Sequence, residues 1–418
     1  MFYLWDDIYQ PAQGTEVSLL KGSIYTLSGN VVYAFSQAIV VFIINKLGSP
    51  KDVGLFTFAL ATVTPLFILA QGGLRSRIVI DADFEYEFSS YFTLRLVLSA
   101  LAVIIILLIG GNNEEFIVVF LIACFKFFDS LFDILYGQYQ RVMRFKSIAI
   151  SKLIRSLLNI SIFTLSYLYT NRLDVSLLFY VISSIISMFI YDFNTRFRVV
   201  DCFIKYRTLD LKKLLFASLP LAITAFLISM NTSISRIILE NSEGLIALGA
   251  FGSFSYLIVS FQIIIQSVCQ TFSPKMAKSC LTGDKENFIK LCCYLILFVI
   301  VISIVFVSFS EIFKEYIFFA LFNEEFFDYV SLYDFIIKVS PLVFLSIAFG
   351  NICTASHNVK YQPHFFFIIM LVNILFCILY VDDFGIYIGG YSLALVSSLS
   401  VIFSFFYSFY GFRARFKI

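Results

Sequence analysis

The chain has 418 residues, of which 60% are hydrophobic and 14% charged, with a formal net charge of +2 and a mean hydropathy of +0.91. That composition lies far outside the range of water-soluble globular proteins and leaves a multi-pass membrane protein, with membrane lipid as its surroundings and no nucleic acid among its partners.

A spanning helix needs roughly 20 mostly apolar residues. Stretches of that kind run over 22–46, 53–73, 88–110, 115–137, 147–169, 174–193, 214–238, 246–270, 289–309, 331–355, 364–380 and 386–410. The expected fold is an all-α polytopic membrane protein, with about 12 transmembrane helices in two six-helix lobes related by a pseudo-twofold around a central cavity. The lobes fall at 22–193 and 214–410, with an N-terminal segment at 1–21, a basic linker at 194–213 ("NTRFRVVDCFIKYRTLDLKK") and a tail at 411–418. The opening "MFYLWDDIYQPAQGTEVSLLKG" lacks the basic start, apolar core and small-residue cleavage site of a signal peptide, so the first span is the expected insertion signal.

In the first span Ser23, Asn30 and Gln37 recur every seven residues and share a face. Gly72 and Gly73 close the second span, and Arg75 and Arg77 follow, either as ordinary cytoplasmic anchors or as first contacts for an anion. Arg95 lies inside the third span. Lys126, Asp129 and Asp133 lie inside the fourth, where spacings of three and four put them on one face that Gln140 and Arg144 continue toward the cytoplasm. A charge in hydrocarbon costs several kcal/mol unless it is paired or faces a polar cavity. Counting outward from the turn at Asn112 and Asn113 places Arg95 and Asp129 at one depth, with Lys126 a turn deeper near the midplane. Two readings follow. Either Arg95 neutralises Asp129 in a static bridge with Lys126 paired along its own helix, or the stripe lines a water-filled cavity reaching mid-membrane.

In the second half Arg236 stands near the outer end of the seventh span, one turn before Glu240, while Gln262, Gln266 and Gln270 recur every four residues in the eighth. Amides both donate and accept, so they serve as interhelical hydrogen bonds or as partners for sugar hydroxyls. Eight cysteines include no CxxC pair, and His357 and His364 flank the turn "HNVKYQPH" without further ligands. Free thiols, no metal and no cofactor are expected, with any coupling ion undefined.

Lysine and arginine are unevenly shared. Twenty-two of the 30, Lys152 and Arg155 included, are assigned to the side holding the amino terminus, and six to the other, whose loops are acidic ("GGNNEEF", "NEEFFD", "VDDFG"). The remaining two are Arg95 and Lys126. By the positive-inside rule both termini are cytoplasmic, and the alternation across every loop supports twelve spans.

A faint duplication accompanies this pattern. "GLFTFALATVTPLFILAQ" from Gly54 and "GAFGSFSYLIVSFQIIIQ" from Gly249 each open the second helix of a six-helix set, with glycine and phenylalanine in register. Two lobes descended from one repeat are a transporter architecture, with cargo held near the midplane.

The segments "GSPKDVGLFTFALATVTPLFILAQGGLRSRIV", "YGQYQRVMRFKSIAISKLIRSLL", "FASLPLAITAFLISMNTSISRIIL", "LGAFGSFSYLIVSF" and "FSPKMAKSCLTGDKENF" together resemble the O-antigen flippases of the Wzx type, within the superfamily of multidrug, oligosaccharidyl-lipid and polysaccharide exporters. The likeness runs from about residue 20 to 410 and its motifs are diffuse. It implies a protein of the bacterial inner membrane that turns an undecaprenyl-pyrophosphate-linked oligosaccharide from the cytoplasmic to the periplasmic leaflet by alternating access. A polysaccharide polymerase and chain-length machinery are then further partners. Such cargo needs a hydrated, cation-bearing path while its polyprenyl tail stays in lipid. Arg75 and Arg77 would receive the pyrophosphate, Lys126 would hold it midway, and Arg236 would serve release unless it pairs with Glu240.

The alternative within the same superfamily is a cation-coupled drug exporter, in which Asp129 or Asp133 would titrate. Against it, the first span holds no acid and the cytoplasmic mouth is basic, which favours an anionic cargo. An enzyme is not expected: the longest outer segment, about 310–330, is a single acidic amphipathic stretch, and no nucleophile with a base or phosphate-cradling glycine loop stands in the sequence.

Overall fold

The computed structural model describes residues 19–81, 85–110, 114–192, 208–356 and 362–416. The turn at Asn112 and Asn113, most of the basic linker, Cys202, His357 and the first 18 residues lie outside them. The regular structure described is helical throughout: α1 (Leu19–Leu47), α2 (Pro50–Gln71), α3 (Leu74–Ile80), α4 (Phe88–Ile109), α5 (Glu114–Arg141), α6 (Phe145–Thr170), α7 (Leu173–Ser187), α8 (Thr208–Thr282), α9 (Lys285–Ile312), α10 (Lys314–Leu321), α11 (Val330–Ala355), α12 (Gln362–Phe384) and α13 (Ile388–Phe416). A π turn, Met188–Asp192, extends α7, and short 3-10 turns precede α11 and α13.

Nine stretches of the described residues are long and apolar enough to cross a membrane. Two of them are long enough for two spans each. Ala222–Cys280 is broken at Gly244, whose φ of 81° and ψ of 179° is a conformation essentially reserved for glycine, and Gln362–Phe409 is broken at the 3-10 turn Gly385–Tyr387. The remaining helix of that length, α5, falls short of the apolar standard because it carries Lys126, Asp129 and Asp133 in its middle. With these, the described helices make the twelve spans expected.

Capping explains several boundaries. Ser49 and Asp52 bond reciprocally, each side chain accepting from the other's backbone N–H at 3.2 and 3.0 Å, with Pro50 at the first helical position, so α2 starts sharply after the short turn that ends α1. Asn171, at φ 49°, closes α6 with its N–H on the Tyr167 carbonyl.

The chain divides into two compact units. Unit 1 comprises Met1–Val40 and Val63–Phe226, and unit 2 comprises Val41–Thr62 and Leu227–Ile418. In unit 1, α5 packs against α3, α4 and α7. Its C-terminal half is buried in a layer of aromatic rings that includes Tyr91, Phe92, Phe132, Tyr136 and Tyr139. Small polar residues draw the helices close: Ser99 on α4 meets Ser130 on α5 at 2.8 Å, and Ser183 on α7 donates to Asn159 on α6 at 2.6 Å.

In unit 2 the outer acidic stretch folds as α10 and a 3-10 turn whose apolar side is buried. Phe318, Phe322, Phe326 and Tyr333 surround the Phe254 ring at centroid distances of 5.4–6.3 Å. This segment also holds the end of α1, since Lys46 Nζ donates to the Phe319 carbonyl at 2.6 Å and the Asn323 side chain donates to the Gly48 carbonyl. Deeper in the membrane, Asn373 on α12 donates to the Asn231 carbonyl at 3.1 Å and accepts from Ser392 on α13 at 2.7 Å.

The two repeat glycines meet inside this unit. A Cβ on Gly54 would lie 1.9 Å from the carbonyl oxygen of Leu245, and one on Gly249 would lie 1.9 Å from that of Pro50. Each glycine thus packs on the carbonyl four residues before the other, a reciprocal contact of the kind a twofold axis generates. Gly54→Val or Gly249→Val should lower stability by about 1–3 kcal/mol through overpacking, read as a fall in the melting midpoint of detergent-solubilised protein. Gly350→Ala, at a site where a Cβ would meet nothing within 4 Å, should leave it unchanged.

Candidate functional site

Unit 1 encloses a network of ionised side chains around α5. The backbone turns through positive φ at Gly72 and Gly73, 60° and 63°, and redirects the chain into α3, which packs on α5. Contact is closest at Gly137, where a Cβ would lie 2.7 Å from Ile78 and 3.3 Å from Cγ of Arg75. Asp133 is one turn away on the same face of α5, and Arg75 Nη1 reaches its Oδ1 at 2.9 Å. Arg95 Nη2, from α4, takes its Oδ2 at 3.0 Å.

Arg95 therefore pairs with Asp133 rather than with Asp129, as depth counting had suggested. Counting along helix axes omits the reach of a long side chain, and here the guanidinium bonds about one turn further along α5 than the counted position. Asp129 is held instead by Arg155 Nη1 at 2.9 Å and by the Tyr33 hydroxyl from α1 at 2.7 Å. Lys126 stands 3.9 Å from its other oxygen.

Arg155 and Lys152, assigned above to the cytoplasmic side, are buried inside α6 at 1% and 6% exposure. The Arg155 guanidinium is boxed by the rings of Phe132, Tyr33 and Phe125, 4.2, 4.8 and 5.5 Å from their centroids, and aromatic faces attract a cation. Lys152 Nζ donates to Asn30 Oδ1 and lies 5.1 Å from the Tyr136 ring. Gln37, the other amide of the α1 stripe, accepts from Tyr180 at 3.0 Å, while the side chain of Ser23 lies outside the described residues. Nε and Nη1 of Arg95, Nε and Nη2 of Arg155 and Nε2 of Gln37 are buried without a hydrogen-bond partner. Buried donors left over in this way ask for water or an acceptor ligand.

Two neighbours complete the picture. Asp192, 2% exposed, accepts from Ser151 at 2.8 Å and Tyr139 at 3.3 Å. Arg77 stands apart from the network and pairs with exposed Glu85 at 3.3 Å.

In unit 2, Arg236 and Gln262 line one cleft of about 90 Å³ together with Asn231. Among the described residues no carboxylate stands in ion-pair range of Arg236, so the pairing with Glu240 is absent. Gln266 and Gln270 lie on exposed surface, with Gln266 accepting from Asn351 at 3.5 Å. The glutamine stripe thus leads from the cleft outward.

A helical bundle with this many apolar spans, which holds a network of ionised side chains inside one of its units, is that of a multi-pass membrane protein. The chain belongs to the polysaccharide biosynthesis protein family, whose model matches residues 19–280. It is 27% identical to the capsular polysaccharide biosynthesis protein CapF of Staphylococcus aureus over 396 residues, covering 93% of this chain and 98% of that protein. Its fold is that of transporters of the MOP superfamily. An inward-facing multidrug-resistance MATE transporter superposes with a TM-score of 0.76 at 14% identity, covering 94% of this chain and 99% of that one. A MOP superfamily transporter from Pyrococcus furiosus gives 0.65 at 14% identity, covering 94% of each.

Sequence reasoning found Lys126, Asp129, Asp133, Arg95 and Arg75 but missed Tyr33, Arg155, Lys152 and Asp192 as members of the network. A signal for one of them was present: Ser151, Arg155 and Asn159 recur every four residues, a polar stripe inside the fifth span. Removing one partner of a buried pair is destabilising by about 3–5 kcal/mol because the other is left uncompensated. Arg155→Gln should therefore destabilise the protein on that scale in thermal unfolding, and Asp129→Asn added to it should restore part of the loss. A double variant whose loss equals the sum of the two single losses would show the pair to be uncoupled.

Proposed function

We propose that this protein is a flippase that carries an undecaprenyl-pyrophosphate-linked oligosaccharide, the repeat unit of a surface polysaccharide, from the cytoplasmic to the periplasmic leaflet of the bacterial inner membrane. One observation carries the reading: among the described residues the interior of unit 1 gathers five cations, Arg75, Arg95, Lys126, Lys152 and Arg155, around three carboxylates, of which Asp129 and Asp133 are ion-paired and Asp192 is held by hydroxyls. A water-poor site with surplus positive charge attracts anions and repels cations. Pyrophosphate is such an anion, and spare guanidinium N–H groups are its natural donors.

The cations divide by exposure. Arg95 and Arg155 are fully enclosed and set helix register. Arg75 and Lys126 remain 29% and 22% exposed, and Lys126 holds its carboxylate only loosely, so these two meet the cargo. Arg77, paired outside the network, has an anchoring role. The drug-exporter reading needs a carboxylate available to a proton or a cationic drug; Asp129 and Asp133 are each already engaged by two cations, and buried Asp192 is engaged by the hydroxyls of Ser151 and Tyr139.

Lys126→Gln in a strain lacking the native gene should cut surface polysaccharide at least tenfold at normal protein level, whereas Arg95→Gln should lower the amount of folded protein. Full surface polysaccharide with Lys126→Gln, or drug resistance conferred by the wild type without any effect on polysaccharide, would sink the reading. The orientation is checked separately: a carboxyl-terminal green fluorescent protein fusion should fluoresce, and an alkaline phosphatase fusion there should be inactive, since both termini are cytoplasmic.

A further inference from the structure

The cleft of unit 2 differs in chemistry from the network of unit 1. It holds one cation, Arg236, half-buried and without a carboxylate in range among the described residues. The other polar groups that line it have spent their protons on the protein. Thr232 Oγ donates to the Ser229 carbonyl, Ser235 to that of Thr232 and Ser255 to that of Phe251, while Ser392 donates to Asn373 Oδ1. Both N–H bonds of the Asn231 amide go to carbonyls, of Leu227 and Phe366. Its Oδ1, in a side chain 3% exposed, is buried without a partner.

What remains toward the cleft is a set of acceptor lone pairs, one guanidinium, the amide of Gln262, and an apolar surface made by the ring of Phe251 with Ile258, Val259, Leu393 and Val396. Acceptor lone pairs repel phosphate oxygens, and a pyrophosphate, with two or more charges, is poorly met by one cation. Hydroxyl donors fit them, and a guanidinium takes one carboxylate in a bidentate grip. A molecule with several hydroxyls, a C–H face and a single carboxylate matches every group in the cleft.

We infer that this cleft is a specificity site for an acidic sugar, a hexuronate-type residue of the oligosaccharide, with Arg236 on its carboxylate and Asn231 Oδ1 on a ring hydroxyl. The inference rests on the reading of the cargo as an oligosaccharide and adds that the saccharide is acidic. Its charged groups are then shared out, with the pyrophosphate to unit 1 and the sugar carboxylate to unit 2.

Isothermal titration of the purified full chain with glucuronate, glucuronamide and inorganic pyrophosphate tests it. Glucuronate should bind at least tenfold more tightly than its neutral amide, a difference of about 1.4 kcal/mol. Arg236→Gln should abolish that preference while leaving pyrophosphate binding intact, and Lys126→Gln should do the reverse. Equal binding of glucuronate and glucuronamide by the wild type would overturn the assignment, and this comparison needs no variant to fold. Loss of pyrophosphate binding in Arg236→Gln would overturn it as well, giving the cleft to phosphate. The flippase reading fails independently, through unchanged surface polysaccharide in the Lys126 variant, and glucuronate selectivity would survive that failure.

Discussion

Asp129 and Asp133 sit one turn apart on α5, and between them they accept from Arg75, Arg95, Arg155 and Tyr33, with Lys126 in ion-pair range of Asp129 at 3.9 Å. Those partners come from α1, α3, α4, α5 itself and α6. In a hydrocarbon setting none of these charges is tolerable alone, so each helix is held in the one register that brings its charge to a carboxylate. Hydrophobic burial supplies no comparable selectivity here, because a lipid tail is as apolar a neighbour as another leucine. Polar pairing thus fixes register in unit 1, and small residues such as Ser99, Ser130 and Gly137 let the backbones come near enough for the pairs to form.

Unit 2 is ordered by other means. Its outer part is an aromatic cluster around Phe254 joined to the end of α1 by Lys46 and Asn323, and its interior is tied by amide and hydroxyl groups converging on Asn373 and Asn231. The two units therefore present different chemistry to anything that enters them. The network of one has donors and positive charge in excess, while the cleft of the other is lined by acceptors with Arg236 as the one guanidinium among its described residues.

Much of this was legible in the residues themselves. Hydropathy and the alternation of basic and acidic loops gave twelve spans, including α5, which apolar length alone does not single out. The spacing of Lys126, Asp129 and Asp133 correctly gave one face. What the sequence could not supply was the partner of each charge, since arginine reaches across a turn and helices tilt: Arg95 bonds to Asp133, and Asp129 is claimed by Arg155 from a helix whose cations read as ordinary cytoplasmic anchors. Tyr33 was invisible for a different reason. A tyrosine in an apolar helix reads as packing until a carboxylate is found against its hydroxyl. Arg236 was read in two ways, and the absence of an acid in range among the described residues is a fact of three dimensions only.

The mutual fit of Gly54 and Gly249 reaches beyond packing. A contact in which each side presents to the other what it receives needs no second sequence: a polypeptide half as long, bearing one such glycine and the carbonyl four residues ahead of it, would close the same seam against its own copy. At each point the neighbour is a backbone oxygen and not the end of a flexible side chain, so neither helix can yield to a bulkier residue, and the crossing tolerates no side chain on either partner.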